Sequence, residues 1–108
     1  MRTEGQKQSL KHEKRLAKVI GGTRNAASGA LSRKGDVRND ELLIEHKWTG
    51  KKSFTVKSEV LEKIWKEAIV VSRTPIVGFH LNGNNYVILG EEDFFELRNS
   101  IKIGRAHF

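Results

Sequence analysis

The chain has 108 residues, of which 37% are apolar and 31% charged, with a formal charge of +7. That length allows one domain with a single core, and the composition excludes a disordered chain. The absence of cysteine excludes disulfides and thiolate zinc sites and fits a reducing compartment.

The N-terminal stretch "MRTEGQKQSLKHEKR" has no apolar centre and does not read as a secretory signal. No apolar run approaches the ~20 residues that span a bilayer. The expectation is a cytoplasmic protein with no membrane partner. Residues 7–20, "KQSLKHEKRLAKVI", predict a helix that ends at Gly21-Gly22. At 100° per residue, Leu10, Leu16, Ala17 and Ile20 share one face, and Glu13 falls in the middle of it. A carboxylate there is costly to bury without a cation, a metal or donors nearby. The plainer alternative is that Glu13 reaches a helix edge and pairs with a lysine. Lys14 and Arg15 belong to the basic remainder of the helix surface.

Residues 21–34 are basic and rich in Gly, Ala and Ser. They predict a short strand around Thr23–Ala26 and a loop through Ser28 and Gly29. "GGTRNAASG" contains no GxxxxGK[ST], so no nucleotide cofactor is expected. "DVRNDELLIEHKW" predicts two strands joined by a tight turn at Asn39-Asp40. "SFTV", flanked by Lys51, Lys52 and Lys57, predicts another extended piece. Ser58 is the expected N-cap of a helix over 59–72, whose stripe of Leu61, Ile64, Trp65 and Ala68 should face the core.

Pro75 blocks that helix and opens the strand "IVGFHL". Asn82-Gly83-Asn84 turns the chain into "NYVIL", and "EEDFFELRNSIK" predicts a last amphipathic helix with acids at its start. Trp65, Phe79, Phe94 and Phe95 read as core or as the apolar face of a dimer. Trp48 reads as core or as a platform for a nucleobase. His12, His80 and His107 show no ligand spacing and read as surface or structural. The expected fold class is α/β, a mixed sheet flanked by helices. It forms a single domain over 1–108, with its core at about 7–98 between short basic tails.

Charge is unevenly shared along the chain. Residues 1–57 hold 14 Lys and Arg against 6 Asp and Glu, whereas residues 58–108 hold 6 against 7. A basic half beside a near-neutral half predicts one face built for a polyanion, with nucleic acid foremost. The same half contains an oddity: the apolar run Leu42, Leu43, Ile44 leads directly into Glu45, His46 and Lys47.

Strand alternation places Glu45 and Lys47 on the face of Leu43, and Ile44 and His46 on the other. With Asn39-Asp40 as a two-residue turn, Asp36 would face Leu43 and lie diagonal to Glu45, roughly 7–8 Å away. Two carboxylates so placed can converge on one hard cation, Mg²⁺ or Mn²⁺. Such an ion would polarise a phosphoryl oxygen and activate a water. The Lys47 ammonium would then hold that water or stabilise charge on the phosphate. Glu-x-Lys alone carries little weight, because 10 Glu and 12 Lys in 108 residues produce about one such tripeptide by chance. The weight lies in the added aspartate, the parity, the apolar lead-in and the basic half-chain.

"GDVRNDELLIEHK" resembles the Asp-x(n)-Glu-x-Lys core of the PD-(D/E)xK nuclease superfamily, the restriction-endonuclease-like fold with an αβββαβ core. The wider pattern is similar to the archaeal-type and phage-encoded Holliday junction resolvases. It shares with them short length, an N-terminal helix with Glu13 followed by Lys14, and Arg24 with Ser28-Gly29 ahead of the aspartate. The resemblance covers residues 10 to 97. Gly35 stands where the superfamily motif has proline, and His46 where an apolar residue is usual.

The resemblance implies a dimeric, Mg²⁺-dependent endonuclease that resolves four-way DNA junctions by paired nicks. Such an enzyme would work in the cytoplasm, or in the host's if the chain is phage-encoded. Asp36 and Glu45 would be metal ligands together with the His46 backbone carbonyl, Lys47 the catalytic lysine, and Glu13 a further carboxylate on the ligand side. Ser28, or alternatively Ser32, would sit on a loop closing over substrate. Lys14, Arg15, Arg24, Arg33, Lys34, Lys51, Lys52 and Lys57 would contact DNA. Two other readings stand beside it: a nuclease for other branched or linear DNA, and a basic nucleic-acid binder without catalysis.

Overall fold

The N-terminal helix begins earlier than its apolar stripe, because its start is set by a cap. Thr3 accepts from the Gln6 amide and the Gln6 side chain accepts from the Thr3 amide, a reciprocal capping box. Helix α1 therefore spans Glu4–Ile20 and closes on Gly21, whose φ of 62° is the left-handed conformation that glycine adopts without strain. The computed structural model describes residues 1–25 and 36–106.

The remaining elements are β1 (Thr23–Arg24), β2 (Val37–Arg38), β3 (Leu42–Trp48), α2 (Ser58–Val70), β4 (Thr74–Leu81), β5 (Asn84–Ile88) and α3 (Glu91–Ala106). They form a mixed α/β domain whose five-stranded sheet has the order β1-β2-β3-β4-β5. All neighbours are antiparallel except β3 and β4, which run parallel through the α2 crossover. "SFTV" forms no strand; its Phe54 instead stacks on Phe79 at 4.6 Å, and Phe79 stacks on Tyr86 at 5.3 Å. That stack fastens the lysine-rich loop after β3 to the sheet.

Each sheet face has its own core. On one, Leu43 and Val77 pack with Ile64 and Ala68 of α2, with Leu61 and Trp65 at the margin, as the stripe predicts. On the other, Val37 and Ile44 pack with Leu16 of α1, alongside Ala17 and Ile20. Fully burying a side chain such as Leu43 contributes about 1.5–3 kcal/mol. The apolar residues of α3 behave differently from expectation. Phe94, Phe95, Leu97 and Ile101 are about half exposed, so Phe94 and Phe95 are not core residues. Among the described residues no helix is long and apolar enough to cross a membrane.

Candidate active site

The β2–β3 hairpin turns one residue later than its sequence indicates. Asn39 is not a corner of the turn but its anchor. Its side-chain oxygen accepts from the Glu41 and Leu42 amides, at 2.8 and 2.7 Å, and its amide donates to the Ile20 carbonyl at 3.0 Å. The corner is therefore Asp40-Glu41, and the register pairs Val37 with Ile44 and Arg38 with Leu43. Asp36 therefore lies just before the paired stretch, near Glu45 and not opposite Leu43.

The hairpin is also bulged at this point. The Asp36 amide donates to the Ile44 carbonyl at 2.8 Å, although Val37 is the registered partner of Ile44. Two residues of one strand thus oppose one of the other, which re-aims the first side chain. The Asp36 carboxylate accepts from the His46 amide at 2.7 Å, taking the donor that would have continued the ladder. Burial first, and then the nearby Glu45 charge, push the Asp36 carboxyl up to about 6. The His46 amide and Lys47 offset only part of that rise.

Glu45 is buried, and ammonium groups take both of its oxygens: Lys47 at 3.5 Å on Oε2 and Lys63 at 3.4 Å on Oε1. Lys63 also pairs with Glu67 at 3.5 Å, one turn along α2. Burial works against the charged form of Lys63, but Glu45 and Glu67 outweigh it and hold its ammonium above the ordinary lysine range. The sequence reading passed over Lys63 and Glu67. Each precedes a core position of α2, Ile64 and Ala68, so both lie on the rim of the stripe. Nothing local to the sequence tells which strand that rim meets.

Glu13 pairs with Arg24 at 3.5 Å, with Arg24 opposite Val37 on the α1 side of the sheet. Burial raises the Glu13 carboxyl, Arg24 opposes the rise, and the charges of Glu45 and Asp36 are close enough to be felt. Both Glu13 and Arg24 border a groove of about 530 Å³ that continues to Arg2. The partner of Glu13 is thus an arginine, not the lysine of the plainer expectation.

On the α1 face lies an arrangement that no residue spacing announces. The His46 ring stacks on His12 at 4.9 Å, and His12 stacks on His80 at 4.6 Å. The two inner rings are buried, and neither His46 nitrogen has a hydrogen-bond partner among the described residues. Burial, then the charges of His12, Arg15 and His80, push His46 down to about 4; His12 is lowered for the same leading reason. The Arg15 Nε donates to the His12 Nδ1 at 3.4 Å, which ties this expected DNA contact to the stack.

Of the other basic candidates, Lys14, Lys51, Lys52 and Lys57 are exposed. Lys51 and Lys52 line a groove with Gln8, Trp48, His80 and Asn82. Ser28, Ser32, Arg33 and Lys34 lie outside the described residues. The two neighbouring carboxylates suit a hard divalent cation by donor chemistry, and the Asp36 carboxyl is raised first by burial and then by the Glu45 charge. Among the described residues no three His, Asp or Glu groups converge as a metal cluster. Comparisons with protein-family models, curated proteins and solved structures found no match to this chain.

Proposed function

We propose that this chain is a metal-dependent DNA endonuclease of the restriction-endonuclease-like class, with four-way junctions as its substrate. The observation that carries the reading is the Asp36 carboxylate held by the His46 amide beside Glu45 on a bulged hairpin, with Lys47 two residues beyond Glu45 and the Asp36 carboxyl raised to about 6. A structural ion pair does not need a second, destabilised carboxylate; a cation site does. The element order α1-β1-β2-β3-α2-β4 reproduces the αβββαβ core that the class implies.

In this reading Asp36 and Glu45 would hold Mg²⁺, or Mn²⁺ in its place, together with the backbone carbonyl of His46, the residue after Glu45. The bound ion supplies charge to polarise the scissile phosphate and to acidify a water. The Lys47 side chain, 40% exposed, can reach out of the site to orient that water or steady charge on the phosphate. Lys51, Lys52 and Lys57 surround the strand end and suit backbone phosphates. A second copy of the chain is the proposed partner, since a symmetric junction needs two cuts. The half-exposed Phe94, Phe95, Leu97 and Ile101 of α3 offer an apolar surface for it. The cysteine-free composition makes the cytoplasm the proposed place of action.

One observation favours a second reading, a binder without catalysis: Glu45 already has two ammonium partners. The test is cleavage of a labelled four-way junction and a matched linear duplex, in Mg²⁺ and in EDTA. Symmetric, metal-dependent nicks in the junction alone, absent in Asp36→Asn and Glu45→Ala, are expected. Equal cutting of both substrates would keep the nuclease and remove the junction preference. Binding without cutting, indifferent to both substitutions, would leave the second reading.

A further inference from the structure

Lys47 and Lys63 are not equivalent partners of Glu45. Lys47 comes from the same strand, two residues away, and its pairing is local. Lys63 comes from α2, its side chain is 60% exposed, and it has another carboxylate to turn to in Glu67. Glu67 is itself only 10% exposed, so it offers a fixed acceptor beside a mobile cation. A long flexible ammonium with one end in solvent and two acceptors within reach can change partners at small cost.

We propose that Lys63 is the resident counter-ion of Glu45, and that a divalent ion entering the site must displace it onto Glu67. This rests on the reading of Asp36 and Glu45 as the cation site. Lys63 satisfies the Oε1 atom of a buried carboxylate that would otherwise be costly to keep ionised. That pairing offsets the cost of the buried charge, and it makes the ammonium a competitor of the metal for the same oxygen. Charge is conserved locally in the exchange, because the displaced ammonium stays paired with Glu67 while the divalent ion meets Glu45 and Asp36. The site's affinity for metal is thereby set below what its two carboxylates alone would give.

The experiment is calorimetric titration of Mn²⁺ into the DNA-free protein, comparing wild type with Lys63→Met, Lys63→Arg, Lys66→Met and Glu45→Gln. Lys66 is an exposed lysine of the same helix and controls for the simple loss of one charge. Lys63→Met is expected to bind Mn²⁺ about tenfold more tightly, the effect of removing a unit charge from the immediate neighbourhood of a divalent ion. Lys63→Arg should stay near wild type and Lys66→Met within about twofold. If Glu45→Gln binds Mn²⁺ as wild type does, the cation site itself is wrong and the inference falls with it. If Glu45→Gln loses binding but Lys63→Met matches wild type or Lys66→Met, the site stands and the displacement is overturned.

Discussion

Glu45 and His46 are neighbours on one buried strand, yet the two faces of the sheet treat them in opposite ways. On the α2 face the protein surrounds a carboxylate with charge: two ammonium groups and a second carboxylate on the helix, with the Asp36 carboxyl close enough to feel it. On the α1 face it surrounds an imidazole with other imidazoles and leaves both ring nitrogens without partners among the described residues. Both residues are equally hidden from water, so burial alone does not distinguish a chemical site from packing. The distinction is whether the surroundings could do something with a charge. The α2 side can, since its ammonium groups are partly exposed and exchangeable, whereas the α1 side pushes His46 towards neutrality.

The sharpest way to break the comparison is to neutralise each residue in turn. Glu45→Gln should reduce metal-dependent junction cleavage by roughly 10³-fold or more, the loss expected when a metal-holding carboxylate is removed. His46→Phe keeps a ring against His12 and should leave cleavage within a few-fold. Gel assays of initial rate on the two variants check both, and equal losses would mean the two faces are not functionally distinct.

The next largest effect is on stability against pH, measured by denaturant unfolding in EDTA. His46 sits near 6.5 in an unfolded chain and at about 4 here, so its contribution is complete above pH 6.5 and is lost as pH falls towards 4. The loss is roughly 2–3 kcal/mol, and His46→Phe should abolish it. Asp36 has the opposite sign. Raised from 3.8 to about 6, it penalises folding above pH 6, and the penalty lifts as pH falls through the same window. Asp36→Asn, which still accepts from the His46 amide, should therefore stabilise the protein by about 1–2 kcal/mol at pH 7.5. With that opposing slope removed, the acid loss due to His46 should appear steeper than in wild type. The smallest change belongs to the Glu13–Arg24 pair: Glu13→Gln should cost less than about 1 kcal/mol, read from the same unfolding curves.

Much of the fold was legible because its signals are local. The α2 stripe, the Asn82-Gly83 turn, whose residues have φ of 48° and 83°, and the parity of Glu45 and Lys47 follow from periodicity and turn chemistry. The hairpin register was misplaced by two residues because Asn39 can serve as a turn corner or as the side-chain anchor just before one. What decided between them was a helix carbonyl, Ile20, that the Asn39 amide had to satisfy. The start of α1 is written in "TEGQ" as a capping box, one turn ahead of the residue where the apolar stripe begins to repeat. Lys63 and the histidine stack were not legible, since each depends on which helix covers which face, a property of the assembled sheet. The exposed α3 residues were read as core or as a dimer face, and only the first of these is excluded by the chain on its own.

The parallel pairing of β3 with β4 sets an order of assembly. Asp36 and Glu45 meet through a short hairpin, whereas Leu42 must find Thr74 and Trp48 must find His80 across the α2 crossover. Local hairpins close in about 1–10 μs, and distant parallel strands join more slowly. A chain leaving the ribosome therefore brings its two repelling carboxylates together before the helix that carries Lys63 has docked. Until then the hairpin carries that repulsion without the Lys63 ammonium, so the chemistry of this strand awaits completion of the whole sheet.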